Sequence, residues 1–347
     1  MPPIPTPRFS DVNSNCLLEI DKLTVTFRAQ EGLIYAVDEL SFALERGRTL
    51  GIAGESGCGK SVSTQAILRL IPKNGTITQG QILYNPDGYN PIDITAMKSD
   101  STEIRAIRGR EMSIIFQEPM TSFSPVITVG KQIDEVIMLH QDLNKKEARE
   151  RSIEMLTMVG MPNPQAIHSA YTYNLSGGMR QRAMIAMALS CQPKLLIADE
   201  PTTAIDVTTQ AMILKLIKQI QKERDLSLIF ITHDLAVIAE LADDILIMYM
   251  GKEVEYGPVI EIFNNTLHPY TKGLLQSIPV LGKSRAQTLN SITGTVPDHF
   301  NLPKGCLFNP RCSRMIKGLC DVEKPPFYQE NNNHFVRCFL YKNGKIK

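Results

Sequence analysis

The chain has almost no net charge: 37 Lys and Arg stand against 36 Asp and Glu, a formal +1 over 347 residues. That balance creates no long-range field toward anionic polymers, so charge gives no support to a nucleic-acid partner. Also missing is any stretch near the roughly 18 consecutive apolar residues that cross a bilayer. The start, Met1 to Ser10, is Pro-rich and has no charged head followed by an apolar core, so neither a membrane span nor export is expected. Cysteine is odd in number, seven in all. In a long chain without a secretion signal this favours reduced thiols or a metal centre over a disulfide framework, and a cytosolic setting.

With 43% apolar residues there is material for at least one large core, and the length suggests about two domains. Pro2, Pro3, Pro5 and Pro7 mark residues 1–16 as a flexible lead. From Leu17, the sets Leu18-Ile20, Leu23-Val25-Phe27 and Leu40-Phe42-Leu44 alternate with polar residues, as half-buried strands do. Thr49 to Ala53 reads as a buried strand ending at a glycine loop. Between Phe123 and Ser176 the period becomes helical, with one face at Ile133, Val136, Ile137 and His140 and another at Ala148, Ser152, Met155, Leu156 and Val159. Apolar strands at Leu195 to Ala198 and Leu228 to Ile231 alternate with helical stretches, which predicts a mainly parallel sheet covered on both faces.

Gly54-Glu55-Ser56-Gly57-Cys58-Gly59-Lys60-Ser61 fits G-x-x-x-x-G-K-S, after that buried strand and before a helical run, Val62 to Leu70. Residues Gly54 through Val62 are therefore the expected ATP-phosphate contacts. The glycines let backbone N–H groups converge on phosphate oxygens, Lys60 reaches the outer phosphates, and the Ser61 hydroxyl ligates Mg²⁺. Cys58, inside the loop, is expected to be open to alkylation. Asp199-Glu200 follows the strand Leu195 to Ala198, at the strand end where open α/β sheets place ligands. Asp199 is expected in the Mg²⁺ shell and Glu200 as the general base acting on the attacking water.

Leu175-Ser176-Gly177-Gly178 lies 115 positions beyond Ser61. Together with the phosphate loop and the acidic pair it resembles the signature of the ATP-binding cassette family. That resemblance implies an α/β P-loop NTPase: a RecA-like core, an antiparallel β subdomain and a helical subdomain at about 120–178. It implies that two cassettes meet head to tail around two nucleotides, with Ser176, Gly177 and Gly178 facing the other subunit's ATP. It further implies that Gln117 senses Mg²⁺ and relays to a membrane partner, and that His233 contacts the γ-phosphate. By the same resemblance Asp206 touches the facing cassette, and Phe27 stacks on adenine, with Tyr35 as competitor. Met179 stands where the family often has Gln.

Within the family the chain looks most like ATP-binding subunits of bacterial oligopeptide and dipeptide importers. Three segments carry this: Gln117-Glu118-Pro119-Met120-Thr121-Ser122, Leu175 to Arg182, and His268-Pro269-Tyr270-Thr271-Lys272-Gly273-Leu274-Leu275. The last two are read as unnecessary for ATP chemistry. A cassette over 17–266 and an extension over 267–347 follow. The extension holds Cys306, Cys312, Cys320 and Cys338 at spacings C-x5-C, C-x7-C and C-x17-C. The resemblance implies a [4Fe-4S] cluster on these four; zinc would accept the same sulfurs, and unliganded thiols in a small core remain an alternative. Nine Lys or Arg against three Asp or Glu from Lys304 onward would offset a cluster's charge or simply solvate a tail.

The implied assembly is a peripheral ATPase on the cytoplasmic face of a bacterial inner membrane, with ATP and Mg²⁺ as cofactors. Its implied partners are a second, related cassette, two permease subunits and an extracytoplasmic peptide-binding protein. Nickel and glutathione importers use similar subunits and stay open as cargo readings. A soluble cassette ATPase on DNA or ribosomes is disfavoured by the 59 positions from Gln117 to Ser176, too few for a long coiled coil, and by the near-zero charge.

Overall fold

The computed structural model describes residues 15–117, 123–202, 206–277, 292–331 and 333–342. Most of the lead, the 118–122 part of the segment after Gln117, Ala204 and Ile205, and 278–291 lie outside them. The described chain divides into two compact units, one from residues within 1–45, 49–96 and 232–347, the other from 46–48 and 97–231.

The first unit opens with an antiparallel sheet. Cys16–Ala29 pairs with Gly32–Glu45 on one side and Gly75–Tyr84 on the other, and the two-residue strand Ile92–Asp93 follows. Strict alternation is not what holds Cys16–Ala29. Cys16, Leu17, Leu18 and Ile20 are all buried, and register shifts around Lys22, in left-handed backbone at φ 48°, reset which side chains face inward. The strand begins at Cys16, one residue earlier than the sequence suggested.

In the same unit Thr49–Ala53, buried throughout, runs parallel to Asp244–Tyr249. Asp244–Tyr249 pairs antiparallel with Lys252–Pro258, which pairs in turn with His334–Val336, and that with Tyr328–Asn331. The C-terminal residues thus extend this sheet rather than hanging from it. Two polar contacts fasten the join: His334 Nε2 lies 2.9 Å from Glu255, both side chains fully buried, and Arg337, 16% exposed, donates to the fully buried Glu253 at 2.6 Å. Glu255 also accepts from the N–H groups of Leu267 and His268, so its charge is satisfied from three sides. Burial alone pushes the Glu253 carboxyl up, and the Arg337 charge opposes that.

The second unit has three parallel strands: Met112–Ile115 beside Leu195–Asp199 beside Ser227–Ile231. Its helical part contains Val129–His140, Lys145–Met158 and Pro164–Ser169, followed by Gly177–Leu189. Ile133, Ile137, Ala148, Met155 and Leu156 are buried, as the periodicity indicated. A polar interlock joins the first three helices. Asp134 accepts from Ser152 Oγ, and His168 Nε2 lies 3.1 Å from both carboxylate oxygens. Asn144 and Glu147 form a reciprocal cap that fixes where the second helix starts.

Candidate functional site

In the first unit, the residues Gly54 to Gly59 carry the chain from the end of Thr49–Ala53 into the helix Lys60–Ile67. Two glycines are required by the loop's own surroundings. At Gly59, φ is 100° and a Cβ would stand 2.2 Å from the Ala36 carbonyl oxygen; at Gly54, a Cβ would stand 2.3 Å from that of Met248. The helix begins at Lys60, so its first N–H groups face the loop. Lys60 is 6% exposed, and its Nζ donates to the carbonyls of Gly54 at 2.9 Å and Glu55 at 3.1 Å. Ser61 and Val62 are half-buried in the first turn.

Cys58 corrects an expectation. It is 3% exposed, and burial raises its thiol's pKa, against the pull of Lys60. A protonated thiol closed off from solvent is a poor target for alkylation. Tyr270, in a segment read as unnecessary for ATP chemistry, touches the loop: its Oη accepts the Glu55 N–H at 2.8 Å.

Phe27 is half-buried, and its ring occupies the space a side chain at residue 75 would need, 2.7 Å from a Cβ built on Gly75. Tyr35, opposite Thr26 in the neighbouring strand, is 44% exposed. His233 is exposed between Thr232, whose N–H donates to Ile52, and Asp234, which caps the helix Leu235–Leu241.

In the second unit, Asp199 is the last residue of its strand and 3% exposed. Glu200 follows in left-handed backbone at φ 47° and donates its N–H to Ile231. A non-glycine residue there costs on the order of 1 kcal/mol, so its turn out of the strand is held by the surroundings. Gln117 Nε2 donates to Glu200 Oε2 at 3.0 Å. Two residues 83 positions apart in sequence are thereby brought together at adjacent strand ends.

Ser176 caps the helix Gly177–Leu189, its Oγ accepting from Met179 N at 3.3 Å. Met179 thus contributes a backbone N–H, and the departure from Gln leaves the cap intact. Asp206 caps Val207–Arg224 by accepting from Thr209 N at 2.9 Å, and this bond holds its carboxyl below the usual carboxylate range. Ser176, Gly177, Gly178 and Asp206 line one open cavity of about 440 Å³ with Arg182 and Thr209. Two helix N-termini, Arg182 and the Asp206 carboxylate border this open space, and the N-termini and the arginine are the groups there that favour an anion.

Two family profiles match: ABC transporter over residues 37–203, and oligopeptide/dipeptide transporter C-terminal region over 254–320. The oligopeptide transport ATP-binding protein OppD of Bacillus subtilis is 46% identical over 326 residues, 93% of this chain and 88% of that protein. The chain belongs to the ABC transporter family. The dipeptide transport ATP-binding protein DppD of the same organism is also 46% identical, over 93% of this chain and 94% of its own. Among solved structures, a dimeric ATP-binding cassette in a post-hydrolysis state with ADP and Pi superposes with TM-score 0.62 at 25% identity, over 70% of this chain and 99% of that one. The ABC transporter fold expected from the motifs is therefore the fold found. As an ABC ATPase the chain hydrolyses ATP, and ATP with Mg²⁺ is its general cofactor set.

Proposed function

We propose that this chain powers the import of di- and oligopeptides, as one of two cassettes beneath two permease subunits served by an extracytoplasmic peptide-binding protein. It would work at the cytoplasmic face of the inner membrane. The observation that carries this reading is the oligopeptide/dipeptide C-terminal region on the same chain as the cassette. No helix among the described residues is long and apolar enough to cross a membrane, so the membrane contact is assigned to partners.

In this reading the loop Gly54–Ser61 binds the phosphates of one ATP, Lys60 pairs with its outer oxygens, and Ser61, Gln117 and Asp199 complete the Mg²⁺ shell. Glu200 accepts a proton from the attacking water, His233 meets the γ-phosphate, and Phe27 stacks on the base. The Gln117–Glu200 hydrogen bond supports a shared role, because it ties the two side chains together at adjacent strand ends. Ser176, Gly177 and Gly178 serve the nucleotide of the facing cassette, with Asp206 beside them. Permease contact is assigned to 117–130 and the neighbouring helical surface. Val126 is 79% exposed there, and Tyr171 and Tyr173, 38% and 64% exposed, stack at 5.4 Å.

For a [4Fe-4S] cluster we assign Cys306, Cys312, Cys320 and Cys338. The support is chemical: four thiolates are the ligand type such a cluster takes, and the charges of the other three bear on Cys338. Among the described residues no group of three or more His, Cys, Asp or Glu is arranged to hold a metal ion. Burial pushes Cys306 up to about 11 and Cys338 up to about 12, so loading must displace protons. Iron, sulfide and zinc assays on anaerobically purified protein test this assignment, and absence of iron removes it.

Transport is tested by uptake of labelled di- to pentapeptides, and of radioactive nickel, in a strain lacking this gene and complemented with wild type or Glu200→Gln. Peptide uptake restored by wild type alone is the expected result. A response of nickel without peptides would overturn the cargo and leave the ATPase.

A further inference from the structure

The second residue of the phosphate loop is held by a side chain 256 positions away. Arg311 Nη1 donates to Glu55 Oε2 at 2.6 Å and Nη2 to Oε1 at 2.9 Å, a two-pronged pair with the arginine side chain 4% exposed. The guanidinium is fixed in turn. Its Nη1 also lies 3.4 Å from Tyr249 Oη, its Nε donates to the Thr293 carbonyl, and it sits 5.9 Å from the ring centres of both Tyr249 and Phe308. Gly294, at φ 83°, leaves room for the arginine stem, since a Cβ there would stand 3.3 Å from Arg311 Cγ.

Glu55 is thus held at three points: carboxylate by Arg311, N–H by Tyr270, and C=O by Lys60 Nζ. Two physical consequences follow. A loop that binds phosphate through its backbone must have that backbone fixed beforehand, and a planar, buried arginine fork fixes direction as well as distance. An unpaired carboxylate in a loop that receives a polyanion would oppose binding, and the guanidinium cancels that charge.

We propose that Arg311 is a positioning residue for the ATP phosphate loop, fixing and neutralising Glu55 so that nucleotide affinity depends on the C-terminal cysteine-bearing segment. Arg311 ends the short turn Asn309–Arg311 and directly precedes Cys312, with Cys306 three residues before the turn. Any ligand or modification that shifts this turn moves the group holding the phosphate loop. The inference rests on Gly54–Ser61 being the ATP loop.

The test measures Mg-ATP affinity and the kcat and KM of ATP hydrolysis on the full chain, with circular dichroism to check folding. Arg311→Met is expected to raise Kd and KM about tenfold, within the usual range for coupled sites, with kcat at saturating ATP largely kept. In a Glu55→Gln background the same change should add little, because the pair it breaks is already gone. Unchanged affinity in Arg311→Met would overturn the proposal, as would an equal loss in both backgrounds. Should Arg311→Met not fold, Arg311→Lys, which keeps the charge but not the fork, carries the same comparison. Lys60→Ala separates the two failures: if it binds ATP like wild type the loop assignment fails, and if only Lys60→Ala loses binding the Arg311 inference alone fails.

Discussion

The phosphate loop and the signature segment are both glycine-bearing approaches to a helix N-terminus, and their glycines have different reasons to be there. Gly59 and Gly54 are demanded from inside: positive φ and carbonyl oxygens of Ala36 and Met248 little more than 2 Å from where a Cβ would be. Gly177 has ordinary helical backbone, and a Cβ there would meet nothing within 4 Å. Gly178 is intermediate, with the Thr209 methyl 2.8 Å from a built Cβ. Among the described residues nothing in the chain's own fold accounts for Gly177, which agrees with the proposal that the signature serves the nucleotide of a facing cassette, whereas the glycines of the loop are accounted for by the loop's own neighbours.

The largest effect is expected from Lys60→Ala. Removing the buried ammonium should bring hydrolysis down by a factor of about a hundred or more with the fold retained; steady turnover in that variant would show the loop is not the phosphate site. Gly177→Ala should sharpen the contrast most. Stability is expected to stay within about 0.5 kcal/mol of wild type, because alanine suits a helix better than glycine, while ATPase activity falls about tenfold or more through the lost close approach to phosphate. A destabilised Gly177→Ala with normal turnover would reverse the comparison.

Gly59→Ala should behave in the opposite way, losing on the order of 3 kcal/mol in urea unfolding through strained φ and a backbone clash. Acid tests the loop's support in turn. His268 caps the helix that carries Tyr270, and burial takes its pKa down to about 4, so the fold keeps it neutral. The unfolded chain binds the proton first, near pH 6.5. The stabilisation is therefore complete above that pH and is lost as pH falls toward the folded value. From pH 7 to pH 5 unfolding free energy should drop on the order of 2 kcal/mol from this residue, and His268→Gln should flatten that slope. Gly178→Ala is expected to fall between Gly177→Ala and Gly59→Ala in stability, at about 1 kcal/mol of destabilisation, since the Thr209 side chain can turn aside.

Much of the architecture was legible because it is written locally. The strand Thr49–Ala53, the loop after it, the helical faces on Ile133 and Met155, and the parallel strand before Asp199 each announce themselves within a few residues. Harder to read was what those residues touch. Cys58 lies in a loop that looked solvent-facing, yet the loop folds over its thiol and leaves it 3% exposed. Tyr270 and Arg311 carry no local sign of a link to Glu55. Ser176 and Asp206 were legible as matched positions but not as helix caps, because capping depends on where the helix starts.

By itself the sequence determined the chemistry of the site: a glycine loop with Lys60 and Ser61, a strand delivering Asp199 and Glu200, and Ser176 with two glycines. These are short-range patterns, in which spacing fixes geometry through strand and helix periods. Only the tertiary structure decided that Gln117 reaches Glu200, that the C-terminal strands join the sheet at Lys252–Pro258, and that Arg311 holds the phosphate loop. The physical reason is that such contacts are made between residues tens to hundreds of positions apart. No local propensity encodes them; around Arg311 it is the packing of the buried rings of Tyr249, Tyr270 and Phe308 that sets the register.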